Sequence, residues 1–110
     1  HLLFDEQAAE IFENVDQLAE RVRRLGAITI HSVGEVANQK TLADNDKAFV
    51  APQDMLGELM ADNKQMAKAM REVHEICDNH NDVATASVLE TLIDLTEKRT
   101  WFLFEASRKG

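Results

Sequence analysis

The sequence predicts an all-α fold, a bundle of long helices with one long crossover, and three observations carry that expectation. One proline, four glycines and no tyrosine in 110 residues leave little vocabulary for strands and tight turns. Apolar residues recur at helical spacing in three long stretches. The segment joining the first two is roughly 25 residues, far beyond the usual two to eight of an antiparallel helix pair, so these helices are expected to run parallel. The length suits a single domain over residues 1–110.

The first helix is expected over residues 1–25. In "HLLFDEQAAEIFENVDQLAERVRRLG", Phe4, Ala8, Ile11, Val15, Leu18, Val22 and Leu25 alternate steps of four and three, the stripe of a helix facing a core. Arg21, Arg23 and Arg24 complement the negative end of its dipole, and Gly26 suits a left-handed cap. No Ser, Thr, Asp or Asn precedes the stripe to satisfy the first open N–H groups, so the natural start is expected to lie further upstream. Ser32 and Glu35 form a capping box that predicts a short helix over 33–39. "TLADNDKAFVAPQ" reads as loop, with Pro52 at the first turn of a second long helix over 52–79. Leu56, Leu59, Met66, Met70, Val73 and Cys77 share one of its faces, and Asn63 interrupts it. The polar turn "DNHND" then leads to a third long helix over 82–107, carrying Val88, Leu92, Leu95 and Phe102. A four-helix bundle with a single long crossover needs one more long helix. The uncapped start and this count together create the expectation of a helix preceding His1.

Charge and composition exclude several classes of function. A formal charge of −8 opposes a generic phosphate-binding surface, which relies on clustered Lys and Arg, and suits cations better. No apolar run approaches the roughly 18 residues of a membrane span, and no signal peptide is visible. A lone Cys77 makes no internal disulfide, which fits a reducing, cytoplasmic compartment.

The polar residues of the first helix form a second stripe. At 100° per residue, His1, Asp5, Asp16 and Glu20 fall within about 100° of one another, rotated from the apolar face. Each pair is spaced i,i+4, close enough to share one ion. The pairs themselves lie roughly 16 Å apart along the axis, too far for a single metal ion. Between them sit Ala9 and Phe12, poorly suited to a solvated face. The midpoint of positions 1 and 20 is also that of 5 and 16. A two-fold axis at Ala9–Phe12 would therefore bring His1 and Asp5 of one chain beside Asp16 and Glu20 of another, giving two identical sites per dimer. Imidazole with carboxylate suits iron, manganese or zinc. The competing reading is a solvated face with surface charge pairs among Glu20, Arg21, Arg23 and Arg24.

Other motifs carry less chemistry. "HEICD" at His74–Asp78 lacks the second histidine of a zinc-protease motif. His74 and His80 are expected at a solvated helix end and Cys77 in the core. Met55, Met60, Met66 and Met70 read as adaptable packing. No Glu-x-x-His occurs, which opposes the di-iron site of classical ferritins.

The pattern His1, three residues, Asp5, ten residues, Asp16, three residues, Glu20, followed by "AERVRRLG", resembles the second helix of the Dps proteins, the DNA-binding proteins from starved cells. "TEKRTWFLFEA", with Trp101 and Phe102, resembles the last helix of that family. The resemblance covers essentially the whole chain and implies a ferritin-like four-helix bundle whose long crossover carries a short helix. It further implies a homo-oligomer, a twelve-subunit hollow shell (dodecamer), acting as a ferroxidase. Such a shell oxidises ferrous iron, preferably with hydrogen peroxide, and stores ferric mineral in response to oxidative stress. The metal ligands implied are His1 and Asp5 of one subunit with Asp16 and Glu20 of its mate, Glu20 bridging. A further family histidine lies on the preceding helix. Acidic residues near the start of the last helix line entry pores in the family; Asp82 matches that region, with Asp78 and Glu90 nearby, while Ser87 stands where an aspartate is frequent. DNA binding in this family depends on a basic N-terminal tail, which the sequence shown does not contain. A non-catalytic, DNA-protecting shell is the alternative function, and a helical interaction module without metal is a third.

Overall fold

The computed structural model describes residues 1–108. They form four helices, α1 (Leu2–Arg24), α2 (Val33–Gln39), α3 (Pro52–Asn79) and α4 (Val83–Ser107), with no strand among the described residues. The chain divides into two compact units, His1–Thr41 and a second that begins at Leu42.

The first unit contains α1 and α2. α1 runs 23 residues without interruption, with His1 at its N-cap position and no side-chain cap. Its other end is closed by local backbone chemistry. Gly26 takes a φ of +88°, the Gly26 N–H donates to the Arg23 carbonyl at 2.9 Å and the Ala27 N–H to the Val22 carbonyl at 3.2 Å. This is a Schellman closure, satisfying carbonyls that the helix leaves open. Arg23 adds a bond from Nη1 to the Ala27 carbonyl at 3.1 Å. Ser32 caps α2, accepting from the Glu35 N–H at 3.1 Å, while the Glu35 carboxylate turns to the His31 ring at 3.2 Å. The box is therefore half formed. The apolar stripe of α1 is less buried than its periodicity implies: Phe4, Ile11, Leu18 and Val22 are half-buried, and Ala8, Val15 and Leu25 are exposed.

In the second unit α3 and α4 pack on each other as an antiparallel hairpin. Pro52 opens α3, where its missing N–H costs nothing. The turn is made by Asn81 at φ +59°, a residue type that tolerates the left-handed region. Asp82 then caps α4. Leu56, Ala67 and Cys77 of α3 and Ala86, Leu89, Leu92 and Leu103 of α4 form the buried apolar core.

The inward stripes differ from those expected. On α3 the line Leu56, Met60, Asn63, Ala67, Met70, His74 and Cys77, in alternating steps of four and three, is buried or half-buried, and Val73 is exposed. On α4 the buried line is Leu89, Leu92, Thr96, Arg99 and Leu103, while Val88 and Leu95 are half-buried and Phe102 is exposed. The apolar pattern Val88, Leu92, Leu95, Phe102 lies one step round the helix, because two members of the true stripe are polar.

Candidate metal centre

α1 carries every ligand candidate of the first helix. The uninterrupted helical backbone keeps Asp5, Asp16 and Glu20 on the face that their spacing defines, with His1 at its head. The His1 carbonyl accepts the Asp5 N–H at 2.9 Å, so position 1 already continues the helical register. All four side chains are exposed, and so are Ala9 and Phe12 between them. Phe12 is 75% exposed, a large apolar cost to leave in water at the centre of a polar face. Glu20 lies 3.7 Å from Arg24, an exposed pair worth little that leaves the carboxylate able to turn to another partner. Within one chain the pairs stay a rise of roughly 16 Å apart. Among the described residues, no three His, Cys, Asp or Glu side chains gather closely enough to hold a metal ion.

Asp82 has a structural task at the start of α4. Its Oδ1 accepts the Thr85 N–H at 3.1 Å and its Oδ2 the Thr85 hydroxyl at 2.5 Å, so both oxygens are engaged in the cap. Cys77 is buried and joins no disulfide among the described residues. His80 is exposed, its Nδ1 2.9 Å from the Ile76 carbonyl.

His74 is not at a solvated end as expected. It lies on the inward stripe of α3 with its side chain 24% exposed, Nε2 2.7 Å from Glu90 of α4 and Nδ1 3.4 Å from Asp78. The hydrogen bond to Glu90, reinforced by the charges of both carboxylates, raises its pKa from the ordinary 6.5 against an opposing effect of burial.

Sequence reasoning missed a second polar group altogether. Arg99, 2% exposed, donates from Nε to Asn63 Oδ1 at 3.2 Å and from Nη2 to Thr96 Oγ1 at 2.8 Å. Thr96 in turn donates to the Leu92 carbonyl at 2.7 Å, and Asn63 Nδ2 to the Leu59 carbonyl at 2.8 Å. Asn63, which seemed to interrupt the α3 stripe, belongs to it because Arg99 meets it there. The available signal was the presence of two polar residues at core positions of facing helices. Beside this cluster, Met60, Ala67, Trp101 and Phe104 line a groove of about 420 Å³, and the Trp101 and Phe102 rings meet at 5.0 Å.

Among the described residues, no helix is long and apolar enough to cross a membrane. A family model described as a ferritin-like domain matches residues 1–109. DNA protection during starvation protein 1 of Deinococcus radiodurans is 28% identical over 94% of this chain and 50% of its own length. An uncharacterised low-temperature-induced protein of Nostoc sp. is 31% identical over 94% of this chain and 58% of its own. The crystal structure of Dps from Thermosynechococcus elongatus superposes with a TM-score of 0.90 at 28% identity, covering 96% of this chain and 66% of that one. The chain thus spans about half to two thirds of the length of these relatives.

Proposed function

The chain belongs to the ferritin-like domain family, among its Dps members, and from that premise we propose that it is a subunit of a cytoplasmic iron-storing shell. In this reading the shell is a dodecamer that oxidises ferrous iron with hydrogen peroxide at sites shared by two-fold related subunits. The observation that carries the proposal is the symmetry of one exposed helical face. His1 with Asp5 and Asp16 with Glu20 lie equally far from an apolar centre at Ala9 and Phe12. A second copy turned about that centre would cover Phe12 and join each imidazole-carboxylate pair to a carboxylate pair.

The chemistry follows from the donor set. Ferrous iron is the substrate, and a hard carboxylate-rich site with one imidazole favours the ferric product. Two ferrous ions, one hydrogen peroxide and two protons give two ferric ions and two waters. Peroxide thus takes both electrons at the site, and no one-electron reduction product escapes. Asp5, Asp16 and Glu20 would hold the iron and offset its charge. His1 would complete the ligand set, and the ferric product would pass to the mineral. Asp82, near the turn into α4, is the pore candidate, acting through the negative charge that its cap retains.

The test is anaerobic addition of ferrous iron to the intact protein, then peroxide, with ferric absorbance recorded for wild type and Asp16→Ala/Glu20→Ala. Fast oxidation in the wild type and a rate equal to the protein-free reaction in the double variant are expected. If wild type also gives the protein-free rate, the enzyme reading falls. The Deinococcus relative is named for DNA protection, and a non-catalytic, DNA-protecting shell would then take its place. The charge of −8 makes any such binding depend on basic residues outside this sequence.

A further inference from the structure

The α3–α4 hairpin is cross-linked by polar contacts at three levels. Farthest from the turn, Arg99 reaches Asn63 at 3.2 Å in the buried interior. Arg71 pairs with Glu97 at 2.8 Å on the surface. Closest to the turn, His74 Nε2 meets Glu90 at 2.7 Å. Two of these contacts use guanidinium, which keeps its charge at any ordinary pH, whereas the third uses imidazole, which does not.

The geometry at His74 favours the charged ring. Nε2 faces a carboxylate oxygen of Glu90 from α4, and Nδ1 faces one of Asp78 from its own helix, at 3.4 Å. Ionised carboxylates only accept hydrogen bonds, and a neutral imidazole has a single N–H. A neutral ring could keep its one N–H on Glu90 but would leave Asp78, 3.4 Å from Nδ1, beside an uncharged nitrogen. The imidazolium keeps the hydrogen bond to Glu90 and sets its charge against both carboxylates. The same charge serves the helix. α3 has no basic residue in its last turn and carries Asp78 there, where a negative charge meets the negative end of the dipole.

We propose that His74, Glu90 and Asp78 form a proton-operated clasp at the turn end of the hairpin. Charged His74 holds α4 to α3 through Glu90; on loss of one proton the bond to Glu90 loses its charge assistance, and two negative groups remain beside a neutral ring. The turn end of the pair then loosens while the Arg71 and Arg99 contacts hold the remainder closed. The response falls above the ordinary imidazole midpoint of 6.5, because Glu90 and Asp78 move the titration of His74 upward. Loosening reaches the Asp82 cap, since Cys77, Asp78 and Asp82 share the backbone bonds of the turn.

Two measurements on the intact protein, made without iron, separate this clasp from the proposed oxidation chemistry. The first is the imidazole NMR titration of His74 in wild type, Glu90→Gln and Asp78→Asn. The second is amide hydrogen exchange of residues 76–86, corrected for intrinsic rates, from acid to alkaline pH in wild type and His74→Gln. We expect a wild-type midpoint above 6.5 that falls in Glu90→Gln, with protection lost at the same midpoint and independent of pH in His74→Gln. An ordinary wild-type midpoint overturns the proposal. So does exchange whose pH dependence is the same in wild type and His74→Gln.

Discussion

On α1 the face with His1, Asp5, Asp16 and Glu20 is exposed around an exposed Phe12, whereas α4 takes Thr96 and Arg99 to 0% and 2% exposure. This face of α1 and the interior of the hairpin place their polar residues in opposite surroundings. On α1 polar side chains at i,i+4 lie in water, where they are free to serve a partner or an ion. In the hairpin, polar side chains occupy core positions because each finds a donor or acceptor across or along the helices. Exposure therefore marks the α1 residues as candidates for binding, and burial marks Asn63, Thr96 and Arg99 as determinants of the α3–α4 register. A buried hydrogen-bonded pair penalises every alternative register by leaving a polar group unsatisfied.

Substitutions can break or sharpen this contrast. The largest loss is expected at Leu103, fully buried in α4. Leu103→Ala should destabilise by about 2–5 kcal/mol in chemical denaturation, while the same change at the half-buried Leu18 of α1 should cost less. Equal losses would remove the distinction between the regions. Next comes Asn63→Ala, which strips the Arg99 Nε of its acceptor and should cost about 1.5–3 kcal/mol by the same measurement. A loss no larger than that of an exposed asparagine such as Asn79 would show that the buried cluster contributes nothing. At the end of α1, Gly26→Ala places a Cβ at φ +88° with nothing within 4 Å to clash. The cost should be the left-handed backbone alone, about 1–2 kcal/mol, read as a lower midpoint with an unchanged slope.

The smallest effect concerns pH. The folded pKa of His74 lies above the unfolded 6.5. Its stabilising contribution is thus fully present below 6.5 and disappears as pH rises through the folded value. The difference in Tm between wild type and His74→Gln should be positive in mild acid and vanish in alkali. A difference that grows with pH would reverse the sign of the argument. The carboxylates are more than half exposed, so salt should shrink the difference.

Local periodicity settled more than long-range pairing could. The helical run of α1, the Gly26 closure, the Ser32 cap and the i,i+4 spacing of the ligand candidates depend on residues within two turns of each other, and these were legible in the sequence. The even spacing of the α1 pairs about Ala9 and Phe12 was legible for the same reason, since it is a property of one helix. The α4 stripe was not. A periodicity search counts apolar residues, and Thr96 and Arg99 enter the interior only because Asn63, 36 residues from Arg99, meets them across the hairpin. His74 looked like part of a solvated helix end until α4 brought Glu90, 16 residues away, to its ring. By itself the sequence determined which residues share a helical face, because 3.6 residues per turn is a property of the backbone. Only the tertiary structure decided which polar residues could be buried and which histidine would titrate high, because desolvation and charge pairing depend on what another helix places opposite.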